Sequence, residues 1–188
     1  GSGDILNAGE FIVADNTSTF VDISNLQPNT TYHITIFEYN GTASATEYLV
    51  TGAPVGNQAT LAAPTTQASA GSFTNVKSNS VTVNWVNGNG NRRMVIMRRG
   101  GPVNTNPVNL VSYAGITNSF FGNGTPLYVD NYVVFNGTGS SVNVSNLQPN
   151  AIYHVAVFEM NGSNSPVYLT AGAPTGNVEV IGDDRASR

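Results

Sequence analysis

Apolar and polar residues alternate along most of this chain with a period of two. Phe73, Val76, Val81, Val83 and Trp85 are interleaved with polar residues, as are Val142 and Val144, then Tyr153, Val155 and Val157. Such alternation, closed off by Gly, Asn or Pro, marks half-buried antiparallel strands. No stretch carries an apolar stripe at helical spacing with caps. Turn signals are dense: Asn87-Gly88, Asn136-Gly137-Thr138, Leu147-Gln148-Pro149-Asn150 and Asn161-Gly162. They supply positive-φ positions and a fixed proline φ for tight connections. Seven strands are expected, at 70–76, 80–86, 93–99, 131–136, 140–146, 151–160 and 167–180. In sandwich lettering these are A, B, C, C′, E, F and G. Between C and C′ lies an insertion, 100–130, rich in Gly, Pro, Asn and aromatics. Seven short strands with one tryptophan, Trp85, on the second imply an all-β sandwich.

The pattern also repeats at long range. Ser24-Asn25-Leu26-Gln27-Pro28-Asn29 returns verbatim as Ser145-Asn146-Leu147-Gln148-Pro149-Asn150, 121 positions on. Tyr32-His33 returns as Tyr153-His154, Phe37-Glu38 as Phe158-Glu159 and Asn40-Gly41 as Asn161-Gly162. After one deletion the offset is 120, and Gly52-Ala53-Pro54 returns as Gly172-Ala173-Pro174. Fixed-period self-similarity marks a tandem array. The expected organisation is half a unit at 1–61, a linker at 62–66, a complete unit at 67–180 and a tail at 181–188. Residues 1–61 align only with the second half of the later unit. They supply C′, E, F and G through 11–14, 20–23, 31–39 and 48–61, and lack A, B and C.

Leu147-x-Pro149-x-x-x-Tyr153, followed by Val155, Val157 and Asn161-Gly162, resembles the E–F corner and F strand of a fibronectin type III domain. Ser80–Trp85 resembles its B strand. Together with Pro64–Ala68, Asn131–Gly137 and Phe158–Gly162, the chain is similar to the enlarged, roughly 120-residue fibronectin-III-like repeats of large exported Bacteroidetes proteins. The resemblance implies tandem antiparallel sandwiches and a location outside the cell or on its outer surface. It implies a scaffold or adhesive role, because that fold is a spacer class and function resides in grafted sites. The insertion exceeds that of an ordinary fibronectin type III domain, and no Arg-Gly-Asp tripeptide supports integrin-type recognition.

Composition narrows the classes further. Only 10% of the 188 residues are charged, Lys77 is the single lysine and the formal charge is −4. Nucleic acid needs a basic stripe, and the Arg92, Arg93, Arg98, Arg99 cluster is too small to supply one. There is no cysteine, hence no disulfide, thiolate metal site or cysteine nucleophile. No apolar run is long enough for a spanning helix.

Candidate residues follow from phase and spacing. Tyr32 and Tyr153, set after Pro28 and Pro149, fit tyrosine corners that pin a loop. His33 and His154 follow those tyrosines and point away from the core, in separate units, so no triad or shared metal site is expected. Glu38 and Glu159 keep the inward phase of their strands, and a buried carboxylate needs a partner. A Glu159–Arg98 pair is expected, with Arg99 as second choice, and Glu38 is expected to lack an arginine. Glycosidase chemistry needs a second carboxylate about 5–10 Å away, and none is evident. Tyr113, Phe120, Phe121 and Tyr128 in the insertion either pack it onto the sandwich or form a sugar-stacking patch. Asp130, Asn131 and Asn123 offer oxygens, but no calcium-loop motif surrounds them. Hydrolase-elbow, phosphate-loop, zincin and dinucleotide fingerprints are absent.

No cofactor, metal or membrane span is therefore expected. Half a sandwich would leave Val21, Ile23, Leu26, Tyr32, Ile34 and Ile36 in water, at roughly 1.5–3 kcal/mol each. That sum rivals the whole stability of a domain, about 5–15 kcal/mol. The partner expected is thus the missing A–B–C half, from the same parent chain, a second fragment or a neighbouring subunit. The function implied is a non-catalytic structural or adhesive repeat segment of an exported surface protein. Two alternatives stay open: a polysaccharide-binding accessory module using 100–130, and a subunit of a strand-complemented filament.

Overall fold

The computed structural model describes residues 4–182, and the expected tail lies beyond them from residue 183 onward. The chain divides into two compact units, Gly1–Ala62 and Ala63–Arg188. The first contains β1 (Ile5–Asn7), β2 (Glu10–Phe11), β3 (Thr31–Thr35), β4 (Glu38–Asn40), β5 (Glu47–Leu49) and β6 (Val55–Ala59). The second contains β7 (Ser69–Lys77), β8 (Ser80–Val86), β9 (Arg92–Arg99), β10 (Asn131–Gly137), β11 (Ser141–Ser145), β12 (Ala151–Asn161), β13 (Val167–Leu169) and β14 (Thr175–Val180).

In the second unit two antiparallel sheets face each other. One has the order β11–β8–β7; the other runs β10–β9–β12, with β13 and β14 both on the far edge of β12. This E–B–A against C′–C–F–G order is that of a fibronectin type III sandwich. On β8 the alternation is complete: Val81, Val83 and Trp85 are buried and meet Val95, Met97, Tyr153, Val155 and Val157 from the opposite sheet. Trp85 lies edge-on to Phe135, with ring centroids 5.1 Å apart. The expected G strand, 167–180, is two strands, because a turn at Gly172 (φ +68°) separates them. Val76, expected inside, is exposed: Asn75 has φ +49° and the β7–β8 register slips there, so the alternation is lost. Thr65 and Thr66, expected as linker, are instead held to the turn after β8, their amides donating to Asn89 Oδ1 at 3.0 and 2.8 Å.

A second core lies on the outer face of the larger sheet. Met94, Ile96, Val133, Ala156, Phe158, Met160 and Tyr168 are covered there by Tyr113 of the insertion, with Val103, Ile116 and Leu127 alongside. Several bonds pin the insertion in place. Tyr168 Oη donates to Val111 O (3.0 Å), the Tyr168 amide donates to Asn109 Oδ1 (2.8 Å), and the Leu110 amide donates to Pro166 O (2.7 Å).

The first unit contains the same second half without its cover. β3 pairs with β6 and β4 with β5, in the registers that β12 keeps with β14 and β13. Expected strands at 11–14 and 20–23 are largely absent: only Phe11 is in a strand, and 20–23 has none. Their counterparts β10 and β11 each pair with β9 or β8, which the first unit does not contain.

Burial and the neighbouring Tyr113 push the Tyr168 phenol well above its ordinary value near 10. A group whose folded pKa is raised contributes stability that is complete below its unfolded pKa and is lost as pH climbs beyond it. Wild type is therefore expected to lose stability steeply above about pH 10. Tyr168→Phe should flatten that alkaline loss in urea titrations, while exposing the 105–112 backbone to protease at neutral pH.

Candidate functional site

The repeated hexapeptide is a backbone device. Asn25 and Asn146 (φ +59° and +63°), and Asn29 and Asn150 (φ +52° and +57°), occupy the left-handed region at equivalent positions. Asparagine tolerates that region better than other side-chain-bearing residues. The hexapeptide brings the chain over the corner tyrosine: the Gln27 amide donates to Tyr32 Oη at 2.9 Å, and the Gln148 amide to Tyr153 Oη at 2.8 Å. Pro28 is half-buried and Pro149 exposed within these corners.

The most concentrated polar site is the carboxylate of Glu159, which is wholly buried. Oε1 accepts from the Gly88 amide (2.8 Å) and from Arg93 Nε (2.8 Å), and Oε2 accepts from the Gly90 amide (2.9 Å). Arg93, itself buried, also donates to Gly90 O (2.6 Å) and Thr138 O (3.3 Å). Gly90 is required by proximity: a Cβ there would lie 2.6 Å from Glu159 Oε2 and 2.8 Å from Met160 O. The expected Glu159–Arg98 pair, with Arg99 second, is thus corrected to Glu159–Arg93. The strands are antiparallel, so the end of β12 meets the start of β9 and Glu159 stands opposite Arg93. Arg98 stands opposite His154 and donates to Pro102 O, while Arg99 donates to Gln148 Oε1. His33 is exposed and His154 half-buried.

The aromatics of the insertion divide into two pairs. Tyr113 and Phe121 are buried; Phe121 meets Tyr132 and Tyr153 edge-on at 5.0 Å each, so it is a core residue of the E–F corner. Phe120 and Tyr128 remain exposed, at 49% and 56%. A shallow hollow of ≈ 190 Å³ is lined by Arg99, Asp130, Tyr132, Asn146 and Gln148. It is smaller than the roughly 300–1,000 Å³ of small-molecule sites. Asn131 is buried with its carboxamide engaged by Asn104 Oδ1 and Val129 O, both at 2.8 Å, which makes it a clasp for the insertion. Among the described residues no three of His, Asp and Glu converge as metal ligands.

Glu38 has none of the cover of Glu159. It is exposed, as are the side chains around it. Ile36 is 60% exposed where Val157 is 1%, Phe37 is 44% where Phe158 is 2%, and Tyr48 is 58% where Tyr168 is 3%. Both faces of the β3–β4 strand are therefore open. Sequence phase marks the inner one; the outer one follows from the second core of the other unit.

A family model described as "Protein of unknown function (DUF1410)" matches residues 5–45. No curated protein matches the chain. Among solved structures, the chain is similar to a two-domain fibronectin type III segment of chicken tenascin: 18% identity, 82% of this chain, 67% of that one, TM-score 0.39. It is similar to domains d3–d4 of the extracellular region of rat CD45: 18% identity, 92% and 78% covered, TM-score 0.35. It is similar also to a fibronectin type III domain of human collagen XX: 18% identity, 56% and 91% covered, TM-score 0.32. The fold assignment rests on the strand order.

Removing one partner of a buried ion pair leaves the other uncompensated, at about 3–5 kcal/mol. Glu159→Gln is expected to destabilise the second unit by about that amount. Trp85 fluorescence in urea would measure it, since Trp85 is the single tryptophan. Glu38→Gln is expected to leave the same transition unmoved.

Proposed function

We propose that this chain is a non-catalytic structural and adhesive repeat segment of a large exported bacterial surface protein of the Bacteroidetes type. Its sandwiches serve as spacers outside the cell. The observation that carries the reading is which positions the repeat copies. They include the left-handed asparagines and glycines, the corner tyrosine and the inward glutamate of the F strand. The asparagines, glycines and tyrosines set the backbone path in both units, and Glu159 fixes a strand junction in the second. A sparsely charged, weakly acidic surface rich in amides and hydroxyls, with 10% charged residues, suits an exposed array.

Antibodies raised against the chain should label intact cells of the producing bacterium, and external protease should strip that label. Labelling confined to permeabilised cells contradicts the reading.

The exposed rings of Phe120 and Tyr128 favour one second reading, a polysaccharide-binding accessory module. The spacer reading expects a silent glycan array. Binding that disappears in Phe120→Ala or Tyr128→Ala, with the urea transition unchanged, supports the accessory module instead. Phe121→Ala does not serve this test, because Phe121 packs in the core.

A further inference from the structure

The hollow at the E–F corner of the second unit brings together two opposite charges that do not pair. Arg99 and Asp130 both line it, yet among the described residues the single salt bridge is Arg93–Glu159. The fold holds each of them in place. Arg99 ends β9 in the inward phase of Val95 and Met97, opposite Tyr153, and its Nη1 donates to Gln148 Oε1. That bond steadies the guanidinium and leaves its other N–H groups without an acceptor among the described residues. Asp130 lies in the left-handed region, φ +60°, inside a closed turn. The Leu127 amide donates to Asn131 O and the Asn131 amide to Tyr128 O, both at 2.8 Å. The Asp130 carboxylate takes part in no hydrogen bond or ion pair among the described residues.

The uncharged lining adds donors, acceptors and an apolar wall. Gln148 spends its carbonyl oxygen on Arg99 and keeps its carboxamide N–H groups. Asn146 spends its nitrogen on Phe121 O, at 2.8 Å, and keeps Oδ1 as an acceptor. The rings of Phe121 and Tyr132, edge-on at 5.0 Å, close one side.

This charge pattern selects among ligands. A simple anion would meet Asp130 and a simple cation would meet Arg99, and juxtaposed like charges are costly. A neutral polyol would use the amides and leave both charges to water. A molecule with a carboxylate and an ammonium on one carbon, and an apolar body, matches every group. A volume of ≈ 190 Å³, below that of drug-sized sites, suits so small a molecule.

We propose that this hollow binds a free α-amino acid with an apolar side chain. Arg99 takes the carboxylate in its planar fork, helped by the Gln148 carboxamide. Asp130 takes the ammonium, helped by Asn146 Oδ1. The side chain lies against Phe121 and Tyr132. Both charges are exposed, so binding is weak and falls as salt rises. The site is complete within the second unit and goes beyond the spacer role.

The probe is L-leucine, titrated into the 188-residue chain and followed by ¹H–¹⁵N NMR. Saturable shifts are expected at the side-chain amides of Asn146 and Gln148. N-acetyl-leucine lacks the ammonium and leucinamide lacks the carboxylate; each should bind about tenfold or more weakly, the scale of a charge-assisted hydrogen bond. Asp130→Gly, which keeps the left-handed backbone, should weaken leucine as much and abolish its advantage over N-acetyl-leucine. Arg99→Gln should abolish its advantage over leucinamide. The Trp85 urea transition should stay unchanged in both variants.

Absent saturation by leucine overturns the proposal. So does equal binding of leucine and either blocked analogue to the wild-type chain, a comparison that needs no variant to fold. Methyl β-glucoside shifting the same amides as strongly as leucine also overturns it, the hollow then being a polyol site.

Discussion

A strand with apolar side chains on both faces needs cover on both faces and a ladder on both edges. β12 is such a strand, and the second unit is built around meeting those needs. β9 ladders one edge, β14 and β13 share the other. The β11–β8–β7 sheet covers the inner face through Val81, Val83 and Trp85, and the insertion covers the outer face through Tyr113. Two residues before the strand's end the inward position is Glu159, whose buried charge is tolerable because two amides and Arg93 converge on it. That convergence fixes the β8–β9 turn, excludes a side chain at Gly90 and sets the register of the central pair.

The first unit is a natural comparison, because it carries nearly the same strand without those neighbours. Wherever its strand touches a partner present in both units, the geometry is unchanged: the corner tyrosine, the left-handed asparagines and the outer-edge ladder all persist. Wherever β12 depends on β8, β9 or the insertion, the first unit shows a gap in the strand, an unpaired segment or an exposed ring. Local sequence suffices for the corner and the hairpin. Continuity and burial require residues far away in the sandwich.

Much of this was legible in the sequence. Alternation located β8, β9, β10, β11 and β12 within a residue or two, because each has at least one polar face or a clear turn at its end. It failed at Val76, where a left-handed asparagine shifts the phase, and across 167–180, where an interior turn divides one apolar stretch. The buried carboxylate is legible from phase; its partner depends on antiparallel register, which sets Glu159 opposite Arg93 and Arg98 opposite His154. Arg93 shares the phase of Val95 and Met97, and that signal was available. The continuous run Met94-Val95-Ile96-Met97 likewise marks a strand buried on both faces, and so hints at the outer core. The insertion's path was not legible. It depends on single contacts such as Asn131 with Asn104 and Tyr168 with Val111, which no periodicity encodes.

Amide hydrogen exchange on the intact 188-residue chain tests the central claim most directly, because exchange reports the local opening free energy strand by strand. The account expects the amides of Tyr153–Met160 to exchange only on global opening of the second unit. Those of Tyr32–Tyr39, nearly the same sequence without β9, should exchange orders of magnitude faster, fastest at Phe37. Equal protection of the two segments would contradict it, since the copied strand would then need none of the neighbours on which the account depends.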